Sequence, residues 1–236
     1  MGGDLTLYVP GDPLPGYLSV PSSVGPWPGV VVLHEAFGLN DDIRRITDRV
    51  ASLGYLAVAP DLLGGGSIRC LARIMRDLQR GNGETFAQVE SLAQWLQDRA
   101  DCSGNVGVLG FCLGGGLAFA AGCRGIFVAG APNYGMIPSP EMLARSCPVV
   151  ASFGGRDRFL ARKASRLAGI LNEAGVENDV KTYPRAGHSF MNQSDGHQLA
   201  KTLGRPLLAA GFERTAAEDA WVRIEAFFKE HLANSQ

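Results

Sequence analysis

Two rhythms of apolar residues alternate along the chain. Val30-Val31-Val32-Leu33, Tyr55-Leu56-Ala57-Val58-Ala59, Val106 with Val108 and Leu109, and Val149-Val150-Ala151 are short runs apolar at nearly every position. Such runs suit strands buried on both faces, as in a parallel sheet. Between them the period lengthens to three or four. Ile43, Ile46, Val50 and Leu53 predict a helix from Asn40 or Asp41 to about Leu53, with Gly54 as its stop. Phe86, Val89, Leu92, Ala93 and Leu96 predict another over 84–99, and Trp221, Ile224, Phe227 and Phe228 a closing helix over 216–231. A further helix is expected over 161–174, and the small-residue stretch Leu113–Gly122 reads as one more.

The remaining strands are expected at Leu5–Val9 and Gly16–Val20, as an antiparallel hairpin, and at Gly125–Ala129, Pro148–Phe153 and Asn178–Tyr183. Asp101–Asn105 reads as a turn, Pro132–Gly135 as a loop, and the basic stretch 67–82 at most as a short helix. Strand–helix alternation behind an N-terminal hairpin predicts an α/β class: a mostly parallel, doubly wound sheet with helices on both faces. No repeat or linker divides the chain, so 1–236 is expected to form one domain.

Composition narrows the function. Hydrophobic residues make up 46% of the 236 and charged residues 19%, with a net charge of −1. This is a globular composition with no basic stripe, which argues against nucleic acid as a partner. No apolar run approaches a membrane span. The N-terminal stretch has no basic segment followed by an apolar one, and the five cysteines are scattered without C-x-x-C pairs, so a cytoplasmic location with reduced thiols is expected. No cluster has metal-ligand spacing, and neither a metal nor a cofactor is expected. Nothing in the sequence speaks to oligomeric state.

The chemistry centres on Gly110-Phe111-Cys112-Leu113-Gly114. A strand ends and a helix begins around Cys112, with glycine two before and two after. This is the nucleophile elbow of G-x-S-x-G with cysteine in place of serine. The turn exposes the central side chain, and the helix N-terminus behind it favours a thiolate. Asp157 follows Gly154-Gly155 after a predicted strand, and His188 follows Gly187 after the next. Nucleophile, acid and histidine thus stand at strand ends in the chain order of an α/β-hydrolase triad. The backbone amides of Leu113 and Ala36 are the candidate oxyanion donors. Glycine-rich turns also cradle phosphates, but the glycines here do not form G-x-G-x-x-G. A ligand-binding protein on the same fold is the alternative to an enzyme.

With these residues laid out, the chain resembles the dienelactone hydrolase family (carboxymethylenebutenolidases) over roughly residues 15–232. The matching pieces are His34-Glu35-Ala36-Phe37-Gly38-Leu39-Asn40, Ala59-Pro60-Asp61-Leu62, Gly110-Phe111-Cys112-Leu113-Gly114-Gly115, Gly154-Gly155-Arg156-Asp157 and Ala186-Gly187-His188-Ser189-Phe190. The resemblance implies an α/β-hydrolase fold and a small ester or lactone substrate. It also implies that Glu35 regulates the Cys112 thiol, since a nearby carboxylate disfavours a second negative charge. The alternative for Glu35 is an acid at the start of the helix or a partner for Arg44 or Arg45. Family members that act on dienelactone hold its carboxylate with arginines, one of them four residues after the histidine. Here that position is Asn192, and Arg69, Arg73, Arg76 and Arg80 are what the chain offers for the other. Asparagine can hydrogen-bond a carboxylate but cannot clamp it with charge. The segment 193–214, with Arg205 and Arg214, reads as lid, interface or surface.

Overall fold

A computed structural model describes residues 2–64, 68–193 and 209–233. One sheet holds the strands β1 (Gly2–Leu7), β2 (Leu14–Ser19), β3 (Trp27–Leu33), β4 (Leu56–Pro60), β5 (Cys102–Phe111), β6 (Ala129–Asn133), β7 (Val149–Gly154) and β8 (Asn178–Tyr183). Their order is β1-β2-β4-β3-β5-β6-β7-β8. The first two strands pair antiparallel, β2 meets β4 antiparallel, and all other neighbours are parallel. Among the described residues the helices are α1 (Asp41–Ser52), α2 (Ile68–Arg80), α3 (Glu84–Gln97), α4 (Leu113–Gly122), α5 (Pro140–Leu143), α6 (Ala161–Glu173) and α7 (Arg214–Ala233). This is the α/β-hydrolase arrangement.

The apolar runs are buried on both faces, with period two. Val30 and Val32 of β3 join α1 and α7 in one core, while Val31 and Leu33 point into a second beneath α3 and α4. Leu109 and Phe111 of β5 divide from Val106 and Val108 in the same way. The helix at 41–52 begins where the capping signal lies: the Asn40 side chain accepts from the Ile43 amide at 3.0 Å.

Some elements differ from the sequence expectation. The strand β5 starts at Cys102, through the expected turn, because Trp27 pairs with Cys102 at the foot of β3. The sixth strand is Ala129–Asn133 and not Gly125–Ala129. Phe127 fills the core from a loop, while the strand itself is made of small residues that α4 can approach closely. A Cβ added to Gly115 of α4 would overlap the Asn133 carbonyl. Pro132, which has no N–H, sits between the β6–β7 pairs Gly130–Val149 and Asn133–Ser152. The stretch 67–82 contains a 13-residue helix, α2.

Candidate active site

Cys112 stands between β5 and α4 with φ 53° and ψ −112°, a conformation L-residues rarely adopt. The elbow is held by close backbone approach. A Cβ on Gly110 would overlap the Gly114 carbonyl, and a Cβ on Gly114 would overlap the carbonyls of Leu33 and His34. The Gly114 amide instead donates to the His34 carbonyl at 3.1 Å, tying the first turn of α4 to the end of β3. Leu113 and Ala36, whose amides are the candidate oxyanion donors, both line the cavity over Cys112.

Asp157 and His188 are brought in from the ends of β7 and β8. His188 Nδ1 donates to Asp157 Oδ2 at 2.7 Å, and the imidazole also hydrogen-bonds Cys112. Asp157 is fully buried, and its other oxygen accepts the amides of Phe159 and Leu160 at 3.0 and 3.2 Å. The carboxylate is therefore fixed before it meets the imidazole. Burial works against charge on His188, but hydrogen bonds to Asp157 and Cys112, with their negative charges, outweigh it and raise its pKa from 6.5 to about 10. Chemically, this is a cysteine paired with an imidazolium that a buried carboxylate orients.

Glu35 is buried, and Ser189 Oγ donates to its Oε1 at 2.6 Å. Its alternative partners are engaged elsewhere: Arg44 binds Asp4, and Arg45 binds Asp42 at 3.0 Å. His34 holds the loop beneath. Its Nδ1 donates to the Glu35 carbonyl at 2.5 Å and its Nε2 accepts the Leu62 amide at 3.0 Å. Burial lowers its pKa, which suits this neutral, doubly bonded form.

The expected substrate contacts are not brought to the cavity. Asn192 is buried behind His188, where it accepts from the Tyr134 hydroxyl and donates to Asp42 Oδ2 at 2.9 Å. Both ends of its amide are thus committed to the protein. Arg73 pairs with Glu84 at 2.6 Å and Arg76 with Asp77 at 3.4 Å, while Arg69 lies on the exposed first turn of α2. The reason is the helical wheel. Leu71, Met75 and Leu78 of α2 line the cavity. At 3.6 residues per turn Arg69, Arg73, Arg76 and Arg80 project roughly 140–200° away from Leu71. Spacing of four and three in Leu71, Met75 and Leu78 was the signal for this face.

Tyr134 stands in the same site and is not singled out by the sequence. It is fully buried, takes φ 39°, lines the cavity and sets its ring edge-on to His188 at 5.4 Å between centroids. Burial, and then the charges of Glu35, Cys112 and Asp42, push its hydroxyl pKa well above 10, so it remains a donor. Cys112, Tyr134 and Ser189 are three of the four non-glycine residues with positive φ among the described residues. Strain of this kind gathers at functional sites.

Elsewhere, His231 packs on the Phe227 ring at 4.3 Å. It stands with Glu177 and Glu230 in the one grouping of metal-type ligands among the described residues, and none of the three lines the cavity. Arg214 is exposed, whereas Arg205, His197 and the rest of 194–208 lie outside the described residues. No helix among the described residues is long and apolar enough to cross a membrane.

Comparison with known proteins agrees with this architecture. The model of the dienelactone hydrolase family matches residues 14–232. A Yersinia pestis protein named "Putative carboxymethylenebutenolidase" is 26% identical over 97% of this chain and 88% of its own length. Protein usf of Aquifex pyrophilus is 29% identical over 92% of this chain and 93% of its own. Among solved structures, a dienelactone hydrolase-like promiscuous phosphotriesterase from metagenomic libraries superposes with a TM-score of 0.82 at 22% identity, over 98% of each chain. With the family model covering both flanks of the elbow and the strand ends that carry Asp157 and His188, the chain belongs to the dienelactone hydrolase family of α/β-hydrolases.

Proposed function

We propose that this hydrolase cleaves ester or lactone bonds through a thioester on Cys112. The observation that carries the reading is the hydrogen-bonded line from Asp157 through His188 to Cys112, set at the floor of a cavity of about 520 Å³.

The Cys112 thiolate attacks the substrate carbonyl carbon, and the amides of Leu113 and Ala36 hold the oxyanion. As the C–O bond breaks, the His188 imidazolium gives its proton to the leaving alkoxide. In a lactone that alkoxide stays tethered to the acyl chain. Water then attacks the thioester, His188 takes its proton, and the C–S bond breaks to return the thiolate and release the acid. Charge on Cys112 is among the causes that raise His188. Acylation removes that charge, so His188 becomes a better base at the step that needs one.

Glu35 acts as the regulator of the thiol. Its bond from Ser189, the neighbour of His188, couples its position to the histidine loop. The free cysteines fit a reducing compartment, and we place the protein in the cytoplasm on that ground.

Replacing Cys112 with alanine tests the reading. Hydrolysis of p-nitrophenyl butyrate should fall by about 10⁵-fold or more, as when a nucleophile that acts as one unit with its base is removed. Full activity in that variant would refute the mechanism.

A further inference from the structure

The cavity over Cys112 differs from its neighbourhood in one respect: apart from Asp157, His188, Cys112 and the Tyr134 hydroxyl, every side chain lining it among the described residues is apolar. One wall is the Leu71, Met75 and Leu78 face of α2. Met136, Phe159 and Leu160, which follow Tyr134 and Asp157 in the chain, complete the apolar lining. The arginines of α2 point the other way, and those at 73 and 76 are held by Glu84 and Asp77. A volume of about 520 Å³ falls within the roughly 300–1,000 Å³ range of pockets that take drug-sized ligands.

The exposure of this wall is itself informative. Phe159 is 61% exposed, Met136 41% and Met75 37%. Large apolar side chains left in water around a concave site mark a surface that something apolar covers. Two of the three are methionines, whose flexible thioethers adapt to ligands of varied shape. The acyl group is the part of the substrate that remains bonded to Sγ through the cycle, so it is the part these side chains surround.

We infer that this site selects neutral esters or lactones with an apolar acyl chain, and disfavours the carboxylate-bearing lactones for which the family is named. The inference rests on the hydrolytic reading above. A carboxylate entering this cavity would lose water and find no cation on α2; the His188 imidazolium that it would meet is already held by Asp157 and Cys112. Each added methylene of a neutral chain would instead gain burial worth about fourfold in kcat/KM.

The test compares p-nitrophenyl acetate, p-nitrophenyl butyrate and p-nitrophenyl hemisuccinate as substrates of the purified full chain. Butyrate, with two more methylenes, should exceed acetate in kcat/KM by about 16-fold. Hemisuccinate should fall below butyrate by about 100-fold or more. Met75→Arg, at a partly exposed position, should lower butyrate turnover and raise that of hemisuccinate. Equal rates for acetate and butyrate, or hemisuccinate at or above butyrate, would overturn the inference while leaving the cysteine mechanism intact. If no ester turns over, the hydrolytic reading fails, and alkylation of Cys112 then reads the cavity by itself. N-hexylmaleimide should react faster than N-ethylmaleimide, and 3-maleimidopropionic acid slowest; the reverse order would overturn the inference there too.

Discussion

Helix α4 carries a cysteine at each end, and the two ends behave as different chemistry. Cys112 precedes the helix at its N-terminus, with positive φ, at the floor of a cavity and hydrogen-bonded to His188. Cys123 caps the C-terminus with φ −83°, is 6% exposed, and donates from Sγ to the Phe119 carbonyl at 3.3 Å. Burial pushes the Cys123 thiol pKa up, against weaker opposing help from Ser146 and Arg145. The N-terminal end of a helix favours a negative sulfur and the C-terminal end disfavours it. Residue type is the same at both ends; backbone conformation, dipole and partners suit one thiol to the proposed role of nucleophile and leave the other a small core hydrophobe.

That contrast breaks most readily at Asp157. In Asp157→Asn the imidazole loses the carboxylate that fixes its orientation and supports its proton. The kcat for p-nitrophenyl butyrate should fall by about 10³–10⁴-fold. Alkylation of Cys112 by iodoacetamide, followed by peptide mass mapping, should slow toward the rate at Cys123. Unchanged selectivity between the two thiols would show that the helix end alone separates them.

A second effect follows from His188. Its folded pKa of about 10 lies above the ordinary 6.5, so the folded state binds the proton more tightly than the unfolded one. The stability this contributes is fully present below about pH 6.5 and is lost as pH rises through about 10. Chemical unfolding across that window should show falling stability in the wild type and a flatter profile in Asp157→Asn. A profile unaffected by the substitution would remove Asp157 from the account of His188.

Smaller still is the backbone term. Gly114→Ala places a methyl against the carbonyls of Leu33 and His34 and should destabilise the fold by about 1–3 kcal/mol, read as a lower Tm. Cys123→Ala, at the other end of the same helix, should cost about 1 kcal/mol and leave kcat within about twofold. Equal loss of activity in these two variants would mean that the elbow is not specially constrained.

Much of this contrast is written locally. The glycines around Cys112 serve close approaches within a few residues and to the adjacent strand, and the position of Asp157 at a strand end follows from the apolar run before it. The two-faced burial of β3 and β5 was likewise visible as unbroken apolar stretches. What escaped was long-range or composed of weak formers. Ser189 meets Glu35 across 154 positions and Asn192 meets Asp42 across 150, and no local period encodes such pairings. Tyr134 is the loop residue that the sequence predicts, but nothing local signals that its ring packs on His188 and lines the cavity. The arginines of α2 enter as substrate groups only because the family resemblance calls for such a clamp; the helical wheel of the stretch turns them from the cavity.

The central claim is that the acyl group passes through the sulfur of Cys112. Rapid acid quench of the enzyme during turnover of p-nitrophenyl butyrate, followed by proteolysis and mass spectrometry, measures this directly. The account predicts one butyryl group on the peptide containing Cys112, released by hydroxylamine as a thioester is, and absent in Cys112→Ala. A butyryl group on another residue in the wild type, with turnover retained in Cys112→Ala, would contradict it.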